Sequence, residues 1–194
     1  MDASMEELRS YFDNAADRWD IANHCKRENL KRIVALSGLC RGDTILDLAC
    51  GTGVLTEYLL AVTPNVIGLD LSEKMITHAR EKYAGTTACF ISGDFYAFAQ
   101  KDFDVVILHN AYPHFQDKEK LVLHLAKVLR PNGRVVVAHS IGRERLNAVH
   151  QRRATHFSVP LRTVEEEVKV FAEKFMIDFA ADEVDFYAFS GTKR

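Results

Sequence analysis

Five short and almost unbroken apolar runs, each followed by a segment of helical periodicity, constrain this chain more than any other feature. They are Thr44–Leu48, Asn65–Asp70, Ala88–Ser92, Phe103–His109 and Arg134–His139. Strands that are apolar on both faces belong to parallel sheets, because crossover helices cover both sides. The intervening helices are read over Val54–Val62, over Glu73–Tyr83 behind a capping Ser72, and over Asp117–Leu129. The last carries Leu121, Val122, Leu125, Val128 and Leu129 on one stripe. Arg130-Pro131-Asn132-Gly133 is expected to end it and turn the chain into the fifth strand. Two further helices precede the first strand, about Met5–Trp19 and about Lys26–Leu36, the second ending at Gly38. Beyond the fifth strand, Val164, Val168, Phe171 and Phe175 mark a helix. Two strands follow around Ala181-Asp182-Glu183, antiparallel because their link is short.

A length of 194 residues suits one domain, with residues 1–40 as a helical cap and residues 41–194 as the sheet core. The net charge of −2 argues against a broad phosphate-binding face, so no nucleic-acid partner is expected. No apolar run approaches the roughly 18 residues that a membrane span needs. The opening MDASMEELRSYF lacks the basic and apolar regions of a secretory leader. Cys25, Cys40, Cys50 and Cys89 are scattered without a C-x-x-C pair, as reduced thiols are, and a cytoplasmic location is expected.

A parallel sheet binds ligands outside the carboxyl ends of its strands. The first strand meets that edge as TILDLACGTG, where Gly51 and Gly53 let the backbone pass close to a ligand and the following helix offers free N–H groups. A dinucleotide fingerprint would need a third glycine where Thr56 stands. Asp47, four residues before Gly51, would repel a pyrophosphate and attract an ammonium. Asp70 ends the second strand, where an acid grips a ribose diol. Asp94 and Phe95 follow the third, a carboxylate for an adenine amino group with an aromatic ring beside it. Amino acid, ribose and adenine together describe S-adenosylmethionine.

These segments, Asp47-Leu-Ala-Cys-Gly-Thr-Gly53, Asp70, Gly93-Asp94 and Leu129-Arg-Pro-Asn-Gly-Arg134, resemble those of the class I S-adenosylmethionine-dependent methyltransferases. YFDNAADRWD near the N-terminus is similar to the opening of the ubiquinone/menaquinone-biosynthesis-like branch. The resemblance implies a Rossmann-like α/β fold: a seven-stranded, mostly parallel sheet with a C-terminal antiparallel strand and an N-terminal helical cap. It implies that Asp47, Ala49 and the Gly51–Gly53 loop hold the methionine moiety, and that Asp70 holds the ribose. Leu71 and Met75 would lie against the base, and Asp94 and Phe95 would meet the adenine. His109 and Asn110 would lie under the sulfonium. Tyr11, Arg18 and Trp19 would close over the cofactor, with simple helix packing as the alternative for Tyr11 and Trp19.

Methyl transfer is an in-line displacement in which the enzyme supplies alignment and, for some acceptors, a base. Candidates are His109 and His139 at the ends of the fourth and fifth strands, with Tyr112 as a substrate contact or a pocket wall, and His150 and His156 beyond. Converging imidazoles would suit a base or a metal, but their spacing matches no standard metal motif, so none is assigned. Arg143, Arg145, Arg152 and Arg153 form the basic cluster, either a solvated surface or an anion contact. The expected acceptor is a small molecule. The alternatives are a protein or RNA acceptor, or an inactive cofactor-binding subunit.

Overall fold

The computed structural model describes residues 3–22, 25–152 and 157–194. The five apolar runs form β1 (Thr44–Leu48), β2 (Asn65–Asp70), β3 (Cys89–Ser92), β4 (Phe103–His109) and β5 (Leu129–His139), and the C-terminal segment adds β6 (Phe175–Asp182) and β7 (Tyr187–Lys193). They make one seven-stranded sheet in the order β3-β2-β1-β4-β5-β7-β6. Strands β1 to β5 pair in parallel, and β7 runs antiparallel to both its neighbours. The chain builds outward from β1 through β2 to β3, then restarts on the other side at β4. That reversal opens a crevice at the carboxyl ends of β1 and β4.

Alternation along β1 divides the core. Leu46 and Leu48 join Val106, Leu108, Val135 and Val137 on one face. Helices α6 (Lys118–Val128) and α8 (Val164–Phe171) cover it with Leu121, Leu125 and Phe171. Ile45 faces the other side with Val66, Ile107 and Val136, under Ile33 of α3 (Arg27–Ser37) and Leu59 of α4 (Thr56–Leu60). Asp47 lies on this second side of the alternation, a carboxylate among aliphatic side chains. Ser72 caps α5 (Glu73–Lys82) by accepting from the Met75 amide at 3.1 Å, and Asp117 caps α6 by accepting from Lys120 at 2.8 Å. Helix α7 is Arg143–Arg152.

Three boundaries depart from the sequence reading. The first helix is broken into α1 (Ala3–Ala15), a 3₁₀ turn (Ala16–Arg18) and α2 (Trp19–Ala22), and Trp19 at the start of α2 reaches Gly51. The fifth strand starts at Leu129 rather than Arg134. Leu129 pairs with Phe103 and Arg134 with Val105, so Pro131 and the left-handed Asn132 (φ 60°) sit in a bulge within the strand instead of turning the chain. Phe175 opens β6 rather than closing α8, and the hairpin link is Glu183–Phe186, tied by a 2.7 Å bond from the Glu183 amide to the Phe186 carbonyl.

Gly68 lies beside Asp47 in register. A Cβ there would sit 2.6 Å from the Phe90 ring and 2.8 Å from Cys50 Sγ. Gly68→Ala should therefore overpack this side of the sheet and cost about 1–3 kcal/mol. The check is a lower denaturant midpoint at unchanged m-value; an unchanged midpoint contradicts the packing described.

Candidate active site

After Leu48 the backbone turns through left-handed residues, Ala49 (φ 58°), Gly51 (φ 55°) and Gly53 (φ 79°). A Cβ on Gly53 would come within 2.8 Å of Thr56 Oγ1 and 2.9 Å of the Tyr83 ring, so this turn has no room for a side chain there. The turn is held from below: the Gly51 amide donates to Asp70 Oδ2 at 2.8 Å and the Ser72 amide to Asp70 Oδ1 at 2.9 Å. A carboxylate offers about four acceptor positions, so Asp70 keeps capacity for a further donor. Burial pushes its carboxyl up to about 6 against the backbone amides of Ser72, Gly51 and Leu71, which favour the ionised form.

Asp47 is 2% exposed, and its Oδ2 has no hydrogen-bond partner among the described residues. Burial, with Asp70 nearby, pushes its carboxyl up to about 7. A buried carboxylate without a donor is costly, and a cationic donor would relieve that cost. An amino-acid ammonium at this turn fits the residues present; a pyrophosphate does not.

The other expected cofactor residues divide. Asp94 accepts from the Tyr96 amide at 2.9 Å and caps a 3₁₀ turn. Leu71 is half-buried and its carbonyl accepts from Arg9 Nε at 3.3 Å. Met75 and Phe95 are buried, and Phe95 packs 4.6 Å from the His124 ring, within the core. Trp19 reaches the glycine turn, its Nε1 lying 3.6 Å from where a Gly51 Cβ would stand. Tyr11 packs edge-on against Phe12 of its own helix and at a tilt against Phe157, at 5.2 and 5.1 Å, and Arg18 is exposed.

At the ends of β4 and β5, His109 Nε2 lies 2.6 Å from Ser140 Oγ, and burial pushes the imidazole down to about 4. Asn110, at φ 55°, accepts from the Ser140 amide at 2.9 Å and bridges the two strand ends. His139 is fully buried, and neither ring nitrogen has a hydrogen-bond partner among the described residues. Burial first, then the neighbouring His109, His150, Lys118 and His114, holds it far below the ordinary histidine value. Tyr112 is fully buried in the core and donates to Glu167 at 2.7 Å, beneath Lys118 at 3.5 Å from its ring, rather than facing the crevice. His150 lies on α7, its ring 5.5 Å from that of His114; His156 and Arg153 fall outside the described residues. Arg143 pairs with Asp182 at 2.7 Å. No group of three or more His, Cys, Asp or Glu among the described residues is placed to hold a metal.

Sequence reasoning passed over Asp13, Asp20 and Thr52. Thr52 Oγ1 donates to Asp20, and Ser72 Oγ donates to Asp13. The spacing of Asp13, Asp17 and Asp20, which puts three acids on one helical face, was the available signal.

Asp47 fixes the sign of one pH effect. Its folded-state value, about 7, lies above the ordinary 3.8, so the folded chain holds the extra proton and the ligand-free protein loses stability as pH rises from about 4 to 7. Asp47→Asn should remove that loss and raise stability at pH 8 by on the order of 2 kcal/mol. Urea denaturation at pH 5 and pH 8 tests this; a variant less stable than wild type at pH 8 contradicts it.

Residues 46–137 match the family model described as a methyltransferase domain. The ubiquinone/menaquinone biosynthesis C-methyltransferase UbiE of Citrobacter koseri is 30% identical over 140 residues, covering 65% of this chain and 56% of that protein. The chain spans between 39% and 60% of the length of the first curated relatives it matches. Two solved structures share the fold almost end to end. One is a chain of the complex between the Haloferax volcanii Trm112 methyltransferase activator and a methyltransferase (TM-score 0.74, 18% identity, 100% of this chain and 98% of that one). The other is the N-methyltransferase NodS of Bradyrhizobium japonicum in complex with S-adenosylhomocysteine (TM-score 0.72, 15% identity, 99% of each chain). At these identities the structural likeness speaks to the fold, and the domain match speaks to the strands that form the crevice. The methyltransferase-domain match thus falls on residues 46–137, which hold the strands of the crevice, and the fold likeness to the two solved structures runs over nearly the whole chain.

Proposed function

We propose that this chain transfers a methyl group from S-adenosylmethionine to a small-molecule acceptor. The observation that carries the reading is the Asp47 oxygen beneath the glycine turn, which has no partner among the described residues: a carboxyl acceptor buried where a nucleotide phosphate would be repelled. When bound, the cofactor supplies an activated methyl on a sulfonium. Asp47, with the backbone at Ala49, Gly51 and Gly53, would hold its amino-acid end, and the spare acceptor capacity of Asp70 its ribose. Leu71, Met75 and Asp94 would bound the base, and Tyr11, Arg18 and Trp19 belong to the segment that covers it. Phe95 would support the base from within the core. His109 and Asn110 sit at the strand end facing the acceptor side. Burial holds both imidazoles neutral near pH 7 and makes them weak bases, so His109 would serve the acceptor as a hydrogen-bonding contact, with the fully buried His139 behind it.

Arg32, Arg80, Arg130, Arg134, Arg143 and Arg162 each face a carboxylate, which leaves them unavailable for a phosphate backbone. That supports a small acceptor over RNA, as does the likeness to a quinone C-methyltransferase. No helix among the described residues is long and apolar enough to cross a membrane.

Calorimetric titration with S-adenosylhomocysteine tests the cofactor site. Asp70→Ala should weaken binding by on the order of tenfold or more. Because a ligand ammonium favours ionised Asp47, wild-type affinity should rise with pH up to about 7 and level off above it, and Asp47→Asn should flatten that profile. Absence of binding, or a flat wild-type profile, contradicts the assignment. Incubation of a cell extract with methyl-labelled cofactor then tests the acceptor: label in the small-molecule fraction supports the reading, and label confined to protein or RNA overturns it.

A further inference from the structure

The cap meets the core along a seam of carboxylates. Asp13, Asp17 and Asp20 recur at four and three residues, so they share one face of the bent N-terminal segment. Each has a partner further along the same side of the core. Asp13 Oδ1 accepts from Ser72 Oγ and from the Lys74 amide at 3.3 Å. Asp17 lies 3.0 Å from His78 Nε2. Asp20 accepts from Thr52 Oγ1 through one oxygen and pairs with Lys82 Nζ at 3.1 Å through the other. Between these contacts lies a cavity of about 390 Å³, bordered by Ala16, Ile21, Thr52, His78 and Lys82. Along this seam the cap is therefore held by polar pairs more than by packed apolar surface.

Two of these contacts differ from the rest in what they reach. Ser72 is fully buried, and its own amide holds Asp70 Oδ1. Thr52 is 3% exposed and follows Gly51, whose amide holds Asp70 Oδ2. Asp13 and Asp20 thus grip the two segments that clasp the Asp70 carboxylate, one on each side. Burial opposes ionisation of Asp20, yet the Thr52 hydroxyl and Lys82 hold its carboxyl below the ordinary value, so it stays an acceptor at neutral pH. Removing either carboxylate would leave a buried hydroxyl without its acceptor. Trp19, the only tryptophan in the chain, rides on the same segment against Gly51.

We propose that Asp13 and Asp20 are positioning residues: they latch the cap onto Ser72 and Thr52 and so fix the Gly51–Gly53 turn and the Asp70 carboxylate beneath it. The role in cofactor binding rests on the reading of that turn as the S-adenosylmethionine site; the latch itself does not.

Acrylamide quenching of Trp19 in the ligand-free protein tests the latch alone. The Asp13→Ala/Asp20→Ala variant should be quenched severalfold more strongly than wild type, and Asp13→Asn/Asp20→Asn, which keeps acceptor oxygens, should stay near wild type. Equal quenching of the alanine variant and wild type overturns the latch. Titration with S-adenosylhomocysteine tests the positioning role. Asp20→Ala and the isosteric Thr52→Val should each weaken binding by on the order of tenfold, with Asp20→Asn restoring most of it. In turnover the loss should fall on KM for the cofactor and leave kcat largely unchanged. If wild type binds and both variants bind within about twofold of it, the positioning role is overturned. If wild type does not bind, that role falls with the cofactor reading, while the quenching result still decides whether the cap is latched. Should the double alanine variant fail to fold, Thr52→Val removes one hydroxyl without changing volume and carries both measurements.

Discussion

A carboxylate buried near the carboxyl end of β1, an interior strand of a doubly covered sheet, is all but cut off from water, and the arrangement around Asp47 follows from that. Among the described residues one Asp47 oxygen lacks a donor, and the second carboxylate, Asp70, stands close enough to raise the cost further. Asp70 is treated differently. Two backbone amides, from Gly51 and Ser72, are turned toward it, and the left-handed residues at Ala49, Gly51 and Gly53 are what allow the chain to present them. One acid is satisfied by the fold and shapes the turn. The other, on the proposed function, is the one a ligand would satisfy. A site built this way is destabilising when empty, as functional sites often are.

The opposite end of the crevice shows the same economy of charge with the sign reversed. His109 and His139 are buried so fully that they are held neutral, and among the described residues His139 has no hydrogen-bond partner. Glu167, the buried acid nearby, is engaged by Tyr112 and Arg162. On the proposed function, a ligand cation would meet the carboxylates at the ends of β1 and β2, and the acceptor would meet the neutral imidazoles at the ends of β4 and β5. The sheet order, with its reversal between β1 and β4, sets these two chemistries side by side.

Much of this was legible in the sequence because parallel strands write themselves as apolar runs. Thr44–Leu48, Asn65–Asp70 and Phe103–His109 are bounded in the structure where the pattern ends. Ser72 and Asp117 announce their helices because a capping oxygen three residues from an amide is a local matter. What was not legible depends on distance in sequence. Pro131 and Gly133 read locally as a turn, but pairing of Leu129 with Phe103 draws them into a strand bulge. Tyr112 reads as a loop aromatic near the substrate, but Glu167, fifty-five positions on, claims its hydroxyl. The cap carboxylates matter through Thr52 and Ser72, partners that no local pattern names.

The most direct test of the account is a crystal structure of the complex with S-adenosylhomocysteine. The account predicts the ligand amino group within hydrogen-bond distance of Asp47 Oδ2, the ribose hydroxyls on Asp70, and the ligand beneath Trp19. A ligand bound elsewhere, or one that leaves the Asp47 oxygen without a donor, would contradict it.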